Sequence, residues 1–179
     1  MGKTMSRSDD GTAAAVGIDP GKNGAIAIVG RGGAITTVWV MPMIGAKGRK
    51  QVYDLVAISE ICQGIKAMFK VFPIRVAIEK QQPLPPKMGG GIANFGRGYG
   101  LGIWEGALTA HGIPYNIVPP TRWQKQMLDG VQGETPKYRA EVQFSRMFNR
   151  EWAYPGKRRK AHDGIVDAAL IAEYARRTM

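Results

Sequence analysis

Two short apolar runs in this chain each stop on an acid. Ala14-Ala15-Val16-Gly17-Ile18 ends at Asp19 and is cut off by Pro20-Gly21, and Arg75-Val76-Ala77-Ile78 ends at Glu79. Apolar runs this short, bounded by turn residues, read as β-strands. If the two strands are parallel neighbours, both carboxylates emerge at the same edge of one sheet. That requirement constrains the fold more than any other feature of the sequence.

The remaining pattern supplies the rest of a sheet and its cover. Residues 24 to 29 read as a strand after the turn Pro20, Gly21, Asn23, Gly24, and residues 35 to 41 as a third strand, with Val38 and Val40 alternating with polar positions. Residues 42 to 50 read as a loop rich in Gly and Lys. Residues 52 to 70 carry Leu55, Ile58, Ile61, Ile65, Met68 and Phe69 at helical spacing, and Pro73 stops that helix. The Pro- and Gly-rich segment 83 to 91 reads as a loop. A helix over 95 to 111, a strand over 114 to 118, and helices over 120 to 128, 135 to 148 and 161 to 177 complete the chain. The expected class is α/β: a mixed five-stranded sheet with helices on both faces, in the ribonuclease H-like arrangement. The 179 residues suit one domain, expected over 13–179 and preceded by a disordered tail over 1–12.

A second pair of acids, Asp163 and Asp167, stands one helical turn apart in His162-Asp163-Gly164-Ile165-Val166-Asp167, so both share one helix face. Each acid has an ordinary reading: Asp19 a turn residue, Glu79 a strand-end surface charge, Asp163 an N-cap, Asp167 a solvated helix acid. Asp167, however, is surrounded by Ile165, Val166, Ala168, Ala169 and Leu170, where a lone carboxylate is costly without a partner or a metal. Taken together, the four point to a site for Mg²⁺, a hard ion that takes oxygen ligands and keeps some of its waters. Two such ions can clamp the attacking and leaving oxygens of a phosphodiester.

Charge names the partner class. Lys and Arg number 25 against 14 Asp and Glu, a formal net charge of +11, which is the footprint of a polyphosphate partner. The cations cluster at Lys47-Gly48-Arg49-Lys50, around Arg122 and Lys125, at Lys137 and Arg139, and at Lys157-Arg158-Arg159-Lys160. No apolar run approaches the ~20 residues of a membrane span, and residues 1 to 12 lack the apolar core of a secretory signal. The single Cys62 excludes an intrachain disulfide and a Cys-based zinc site; it reads as a buried small hydrophobe in a reducing, cytoplasmic setting.

The segments Gly17-Ile18-Asp19-Pro20-Gly21, Ala77-Ile78-Glu79-Lys80-Gln81 and Asp163-Gly164-Ile165-Val166-Asp167-Ala168-Ala169-Leu170 resemble RuvC-type Holliday-junction resolvases. Phe95-Gly96-Arg97-Gly98-Tyr99-Gly100, Gly112-Ile113-Pro114-Tyr115 and Val118-Pro119-Pro120-Thr121-Arg122-Trp123 look like the phage, bacterial and chloroplast branch of that family. The resemblance spans residues 14 to 175. It implies a homodimeric endonuclease making paired cuts in four-way junction DNA, with two Mg²⁺ per site, or Mn²⁺ in their place, in the cytoplasm of a bacterium or phage-infected host. The family's catalytic and metal-binding acids carry over to Asp19, Glu79, Asp163 and Asp167, with Asp19 expected to bridge the metals. Lys125 and Lys137 fall where the family places phosphate-contacting lysines; Arg97, Lys157, Arg158, Arg159 and Lys160 are further expected DNA contacts. Two departures stand out. The bacterial pattern spaces its last two ligands by three, here by four, which makes His162 a possible ligand. The family's junction-core aromatic is replaced by Gln82, leaving Leu84, Met88 or Phe95 as candidates for that contact.

Three rivals remain: a ribonuclease H-like nuclease acting on structured precursor ribosomal RNA, a phosphotransferase of the actin/hexokinase type, and a non-catalytic junction-binding protein. The second would need another phosphate loop and about twice the length. Finally, Gly98, Gly102, Gly106 and Ala110 form a smooth stripe along one helix. Each Gly costs a helix about 1 kcal/mol relative to Ala, so the stripe serves a close approach, either of a second helix across a dimer axis or of the protein's own sheet.

Overall fold

The computed structural model describes residues 13–45, 51–85, 87, 90–156 and 159–179. The expected tail over 1–12, the Lys47-Arg49-Lys50 cluster, Met88, Lys157 and Arg158 lie outside the described residues.

The sheet has five strands. β1 (Ala14–Asp19), β2 (Ala25–Val29) and β3 (Ile35–Val40) form an antiparallel meander; β6 (Ile74–Glu79) and β7 (Asn116–Val118) add on the other side of β1, giving the order β3-β2-β1-β6-β7. β1 runs parallel to β6, and β6 parallel to β7. Gly17 pairs with Ala77 and Ile18 with Ile78, so the strands run out in register at Asp19 and Glu79. The edge required by the two acids therefore exists. Between β3 and α1 lies a small hairpin, β4 (Met43–Ile44) against β5 (Val52–Tyr53).

Strand alternation sorts the two faces. Val16, Ile18, Ile26, Ile28, Val76 and Ile78 face α1 (Leu55–Met68) and α2 (Gly91–Ala110), packing on Ile58, Ile65, Trp104 and Leu108. The opposite face is lined by small residues, Ala15, Ala25, Ala27 and Ala77, and receives α3 (Pro120–Met127), α4 (Pro136–Met147) and α5 (Asp163–Thr178). The small residues bring α5 unusually close to the sheet. At Gly17 a Cβ would overlap the Ala168 carbonyl and the Ala172 amide of α5, so any larger residue would lift the helix off β1. Burial of Ala168, Ala169, Ala172 and Ala175 at 0% exposure follows from that approach. Cys62 is buried and free, and burial pushes its thiol up to about 11.

Some boundaries differ from the sequence reading. Residues 52 and 53, expected within a helix, form β5; the helix begins at Leu55 because the Asp54 side chain accepts from the Ala57 amide at 3.0 Å and caps it. α2 starts at Gly91, not 95, and β7 at Asn116, not 114. A single 3-10 turn, Arg150–Ala153, follows α4. His162, rather than Asp163, holds the N-cap position of α5, so the capping reading of Asp163 does not stand. Among the described residues no helix is long and apolar enough to cross a membrane.

Candidate active site

The ends of β1 and β6 and the first turn of α5 meet at one concave surface. Asp19, Glu79, Asp163, Asp167, His162 and Arg97 all line this cavity of about 810 Å³. α5 is brought there by a second close approach: at Gly164 a Cβ would overlap the Asn23 carbonyl and Gly24 in the β1–β2 turn. The first turn of α5 thus sits directly on the loop that follows Asp19.

Each acid is held differently. Asp19 Oδ1 accepts the Gly21 amide at 3.1 Å, folding the Asp-Pro-Gly turn back on the carboxylate. Beneath that turn the buried Tyr53 hydroxyl donates to the Pro20 carbonyl at 3.0 Å. Glu79 Oε1 accepts the Trp123 indole N–H at 2.9 Å, and its Oε2 accepts from Gln81 Nε2 at 3.2 Å. Asp163 is more exposed and pairs with Lys137 of α4 at 2.5 Å. Asp167 lies one turn deeper on the same face.

The electrostatics are those of crowded acids short of cations. Burial raises Asp19, opposed by its Gly21 hydrogen bond and by Arg97. Burial, and then the Asp19 charge, push Glu79 up to about 7, against the Trp123 and Gln81 hydrogen bonds. Asp167 is raised well above the usual carboxylate range by burial and by Asp19, Glu79 and Asp163 in turn. Tyr53 is pushed up to about 12 by burial and then by Asp19 and Tyr99. Converging oxygen donors that destabilise one another's charge fit a hard divalent cation, which would relieve that repulsion. Among the described residues no group of three or more His, Cys, Asp or Glu side chains is placed as it stands to hold a metal ion. The four acids instead line the walls of an open cavity.

The expected cations divide into separate places. Arg97 lines the acid cavity and makes no ion pair among the described residues, and its Nε is buried without a hydrogen-bond partner. Lys137 reaches the cavity rim through Asp163, whose hydrogen bond raises its ammonium. Lys125 lies elsewhere, in a hollow of about 580 Å³ between α3 and α4, together with Arg139 and Asp129. Arg159 and Lys160 are exposed just ahead of α5. His162 lines the cavity, and its backbone amide donates to the Ala153 carbonyl at 2.7 Å.

The glycine stripe resolves in part. At Gly98, Gly102 and Gly106 a Cβ would meet nothing within 4 Å, so these residues do not pack on the protein's own sheet. The tight position on α2 is Gly100, where a Cβ would overlap the Tyr53 hydroxyl and the Pro20 carbonyl oxygen. Exposed Ile92, Phe95 and Tyr99 flank the open stripe, with Phe95 and Tyr99 stacked at 6.0 Å.

Sequence reasoning missed Trp123 and Gln81 as partners of Glu79, and Tyr53 as the support of the turn after Asp19. Trp123 stood in a recognisable motif, but a tryptophan at helical spacing carries no sign of where its N–H points.

No protein-family model and no curated protein matches the sequence. Solved structures do. RuvC of T. thermophilus in complex with a Holliday junction substrate aligns with a TM-score of 0.57 at 17% identity, covering 90% of this chain and 91% of that one. A second Thermus thermophilus RuvC structure gives 0.50 at 20% identity, covering 90% and 92%. Ydc2, the yeast mitochondrial Holliday junction resolvase, gives 0.47 at 13% identity, covering 92% and 78%. At these identities the likeness to RuvC is one of fold, extending over nearly the whole of both chains: the α/β ribonuclease H-like fold expected from the sequence.

Proposed function

We propose that this chain is a structure-selective DNA endonuclease that resolves four-way junctions by paired, symmetric cuts. One observation carries the reading: Asp19, Glu79, Asp163 and Asp167, from both ends of the sequence, converge on a single cavity walled by Arg97 and edged by Lys137. An acid cluster of this kind in a chain of net charge +11 is suited to hold divalent cations against a polyanion. The RuvC that shares the fold was solved with a Holliday junction substrate, which favours branched DNA over structured RNA.

Asp19, Glu79, Asp163 and Asp167 would hold up to two Mg²⁺, with His162 lining the same cavity. When bound, such ions neutralise phosphate charge and lower the pKa of a bound water. The chain's own residues do the rest. Arg97 and Lys137 draw the phosphodiester to the cavity mouth. Tyr53 and the Gly21 amide fix the Asp19 turn. The reaction is hydrolysis: water attacks phosphorus in line, the bond to the 3′-oxygen breaks, and the proton given up by the water ends on that oxygen, leaving a 3′-hydroxyl and a 5′-phosphate.

Two symmetric cuts call for two sites related by a two-fold axis, which a closed, isologous dimer provides. The open face of α2, with Gly98, Gly102 and Gly106 flanked by exposed Phe95 and Tyr99, is the surface we assign to that contact. A smooth helix face with exposed aromatic rings suits a copy of itself.

The test compares labelled four-way junction, linear duplex and structured RNA, with and without Mg²⁺. Paired cuts in the junction alone, dependent on metal, support the proposal. Cleavage of RNA in preference favours the ribosomal RNA reading, and metal-independent binding without cleavage favours a non-catalytic junction protein.

A further inference from the structure

Trp123 is an unusual neighbour for a functional acid. It is fully buried at 0% exposure, among Ala77, Val118, Met127, Ile165 and Val166 on the α3–α5 side of the sheet. Its volume alone would explain it as core. Yet its only polar atom is not spent on backbone. The indole N–H crosses from α3 to β6 and donates to Oε1 of Glu79 at 2.9 Å.

Three features of this contact matter. The donor is neutral and cannot be lost by titration, so it fixes the carboxylate without neutralising it, as a Lys or Arg would. The indole is rigid and closely packed, so the position of Oε1 is set by the core. The second oxygen, Oε2, accepts from Gln81, a half-buried side chain two residues beyond the end of β6, at the longer distance of 3.2 Å. One oxygen of Glu79 is thus anchored in the core and the other is held from the edge of the cavity.

Resting on the metal-site reading above, we infer that Trp123 is a positioning residue for the divalent cation: it locks Glu79 through Oε1 so that the rest of the carboxylate is presented to the cavity. Partners that orient metal-binding side chains typically change metal affinity or activity by about 10–100-fold when removed.

Trp123→Phe keeps an aromatic body in the core and removes the donor. Mn²⁺ binding to the protein without DNA, measured by titration calorimetry, should weaken by about 10-fold. Circular dichroism should show the fold retained. In cleavage, the metal concentration for half-maximal rate should rise by a similar factor, with most of the rate restored at saturating Mg²⁺. The second arm is a double-mutant cycle: in a Glu79→Gln background, Trp123→Phe should have no further effect on Mn²⁺ affinity, because its influence runs through that carboxylate. Unchanged Mn²⁺ affinity in a folded Trp123→Phe protein would overturn the assignment and leave Trp123 a core residue only. Equal weakening in both backgrounds would overturn it too, since the effect would then be general loosening. Failure of the unsubstituted protein to bind Mn²⁺ would sink the metal site itself, a result distinct from either.

Discussion

Two glycines two positions apart on α2 should respond oppositely to the same methyl group. At Gly100 a Cβ overlaps the Pro20 carbonyl oxygen and the Tyr53 hydroxyl, whereas at Gly102 it enters open space. Within one subunit Gly102→Ala therefore gains only helix propensity, about 1 kcal/mol. Gly100→Ala gains the same but must relieve the overlap. Tyr53 can tilt, yet the Pro20 oxygen belongs to a backbone that carries Asp19. Overpacking of this kind costs about 1–3 kcal/mol, and breaking the buried Tyr53–Pro20 bond costs a further ~1–3 kcal/mol. Within one subunit the net expectation is a loss of about 1–5 kcal/mol for Gly100→Ala and a gain of about 1 kcal/mol for Gly102→Ala. For a domain of this size each kcal/mol moves the melting midpoint by about 2–4 °C, so the two variants should melt well apart. Thermal and urea unfolding of both proteins, at one concentration, measures the difference. Activity should fall with Gly100→Ala, because relief of the clash moves the Asp19 turn. Equal stability of the two variants would refute the packing of α2 on that turn.

Asp19→Asn, Glu79→Gln, Asp163→Asn and Asp167→Asn should each reduce cleavage to background in a gel assay while junction binding persists, since removing an acid does not weaken contact with a polyanion. Asp167→Asn should also stabilise the metal-free protein by about 1 kcal/mol above neutral pH, read by melting, because it removes a buried charge opposed by three others. The raised Glu79 gives a pH signature with a definite sign. Between 4.5 and about 7 the folded protein holds a proton that the unfolded chain has released, so metal-free stability falls as pH rises through that window. Metal binding near pH 6.5 should then release protons, detectable by calorimetry in buffers of different ionisation enthalpy. Replacing Lys157, Arg158, Arg159 and Lys160 by Ala should flatten the slope of log K against log salt by up to ~0.9 per lost phosphate contact. Gly102→Leu should favour monomer by light scattering and leave a cruciform plasmid nicked rather than linearised.

The acids were legible because each breaks a strong local pattern. An apolar strand that ends on Asp19 or Glu79, and a helix that carries Asp167 among Ile165, Val166 and Ala168, are exceptions a periodicity argument can see. That β1 and β6 are parallel neighbours was only a condition in the sequence, and the structure supplies the pairing, Gly17 with Ala77 and Ile18 with Ile78. The hairpin of β4 and β5 was not legible: strands of two residues carry no period, and Val52 falls in phase with the helix beginning at Leu55. The start of α2 was missed because Gly90 and Gly91 read as breakers, while the first turn of a helix tolerates them. The glycine stripe showed in the sequence, but not its surroundings; four-residue spacing is shared by a helix seated on a sheet and one facing outward. Lysine positions were equally ambiguous. Lys137 and Arg139 stand two apart on α4, and only the packing sends the first to Asp163 and the second to the hollow with Lys125.

The closeness of α5 to β1, set by Gly17 and Gly164, has a consequence for the protein's synthesis. Asp19 belongs to the first strand and Asp167 to the helix that covers it. At ~5–20 residues per second, Asp19 leaves the ribosome roughly 7–30 s before Asp167 does. During that interval the alanine-lined face of the sheet has no cover, and the cavity lacks half of its acids. A chain interrupted before α5 therefore has neither a sealed core nor a complete site. Translation errors that shorten the protein before α5 yield an unsealed chain, material for proteases.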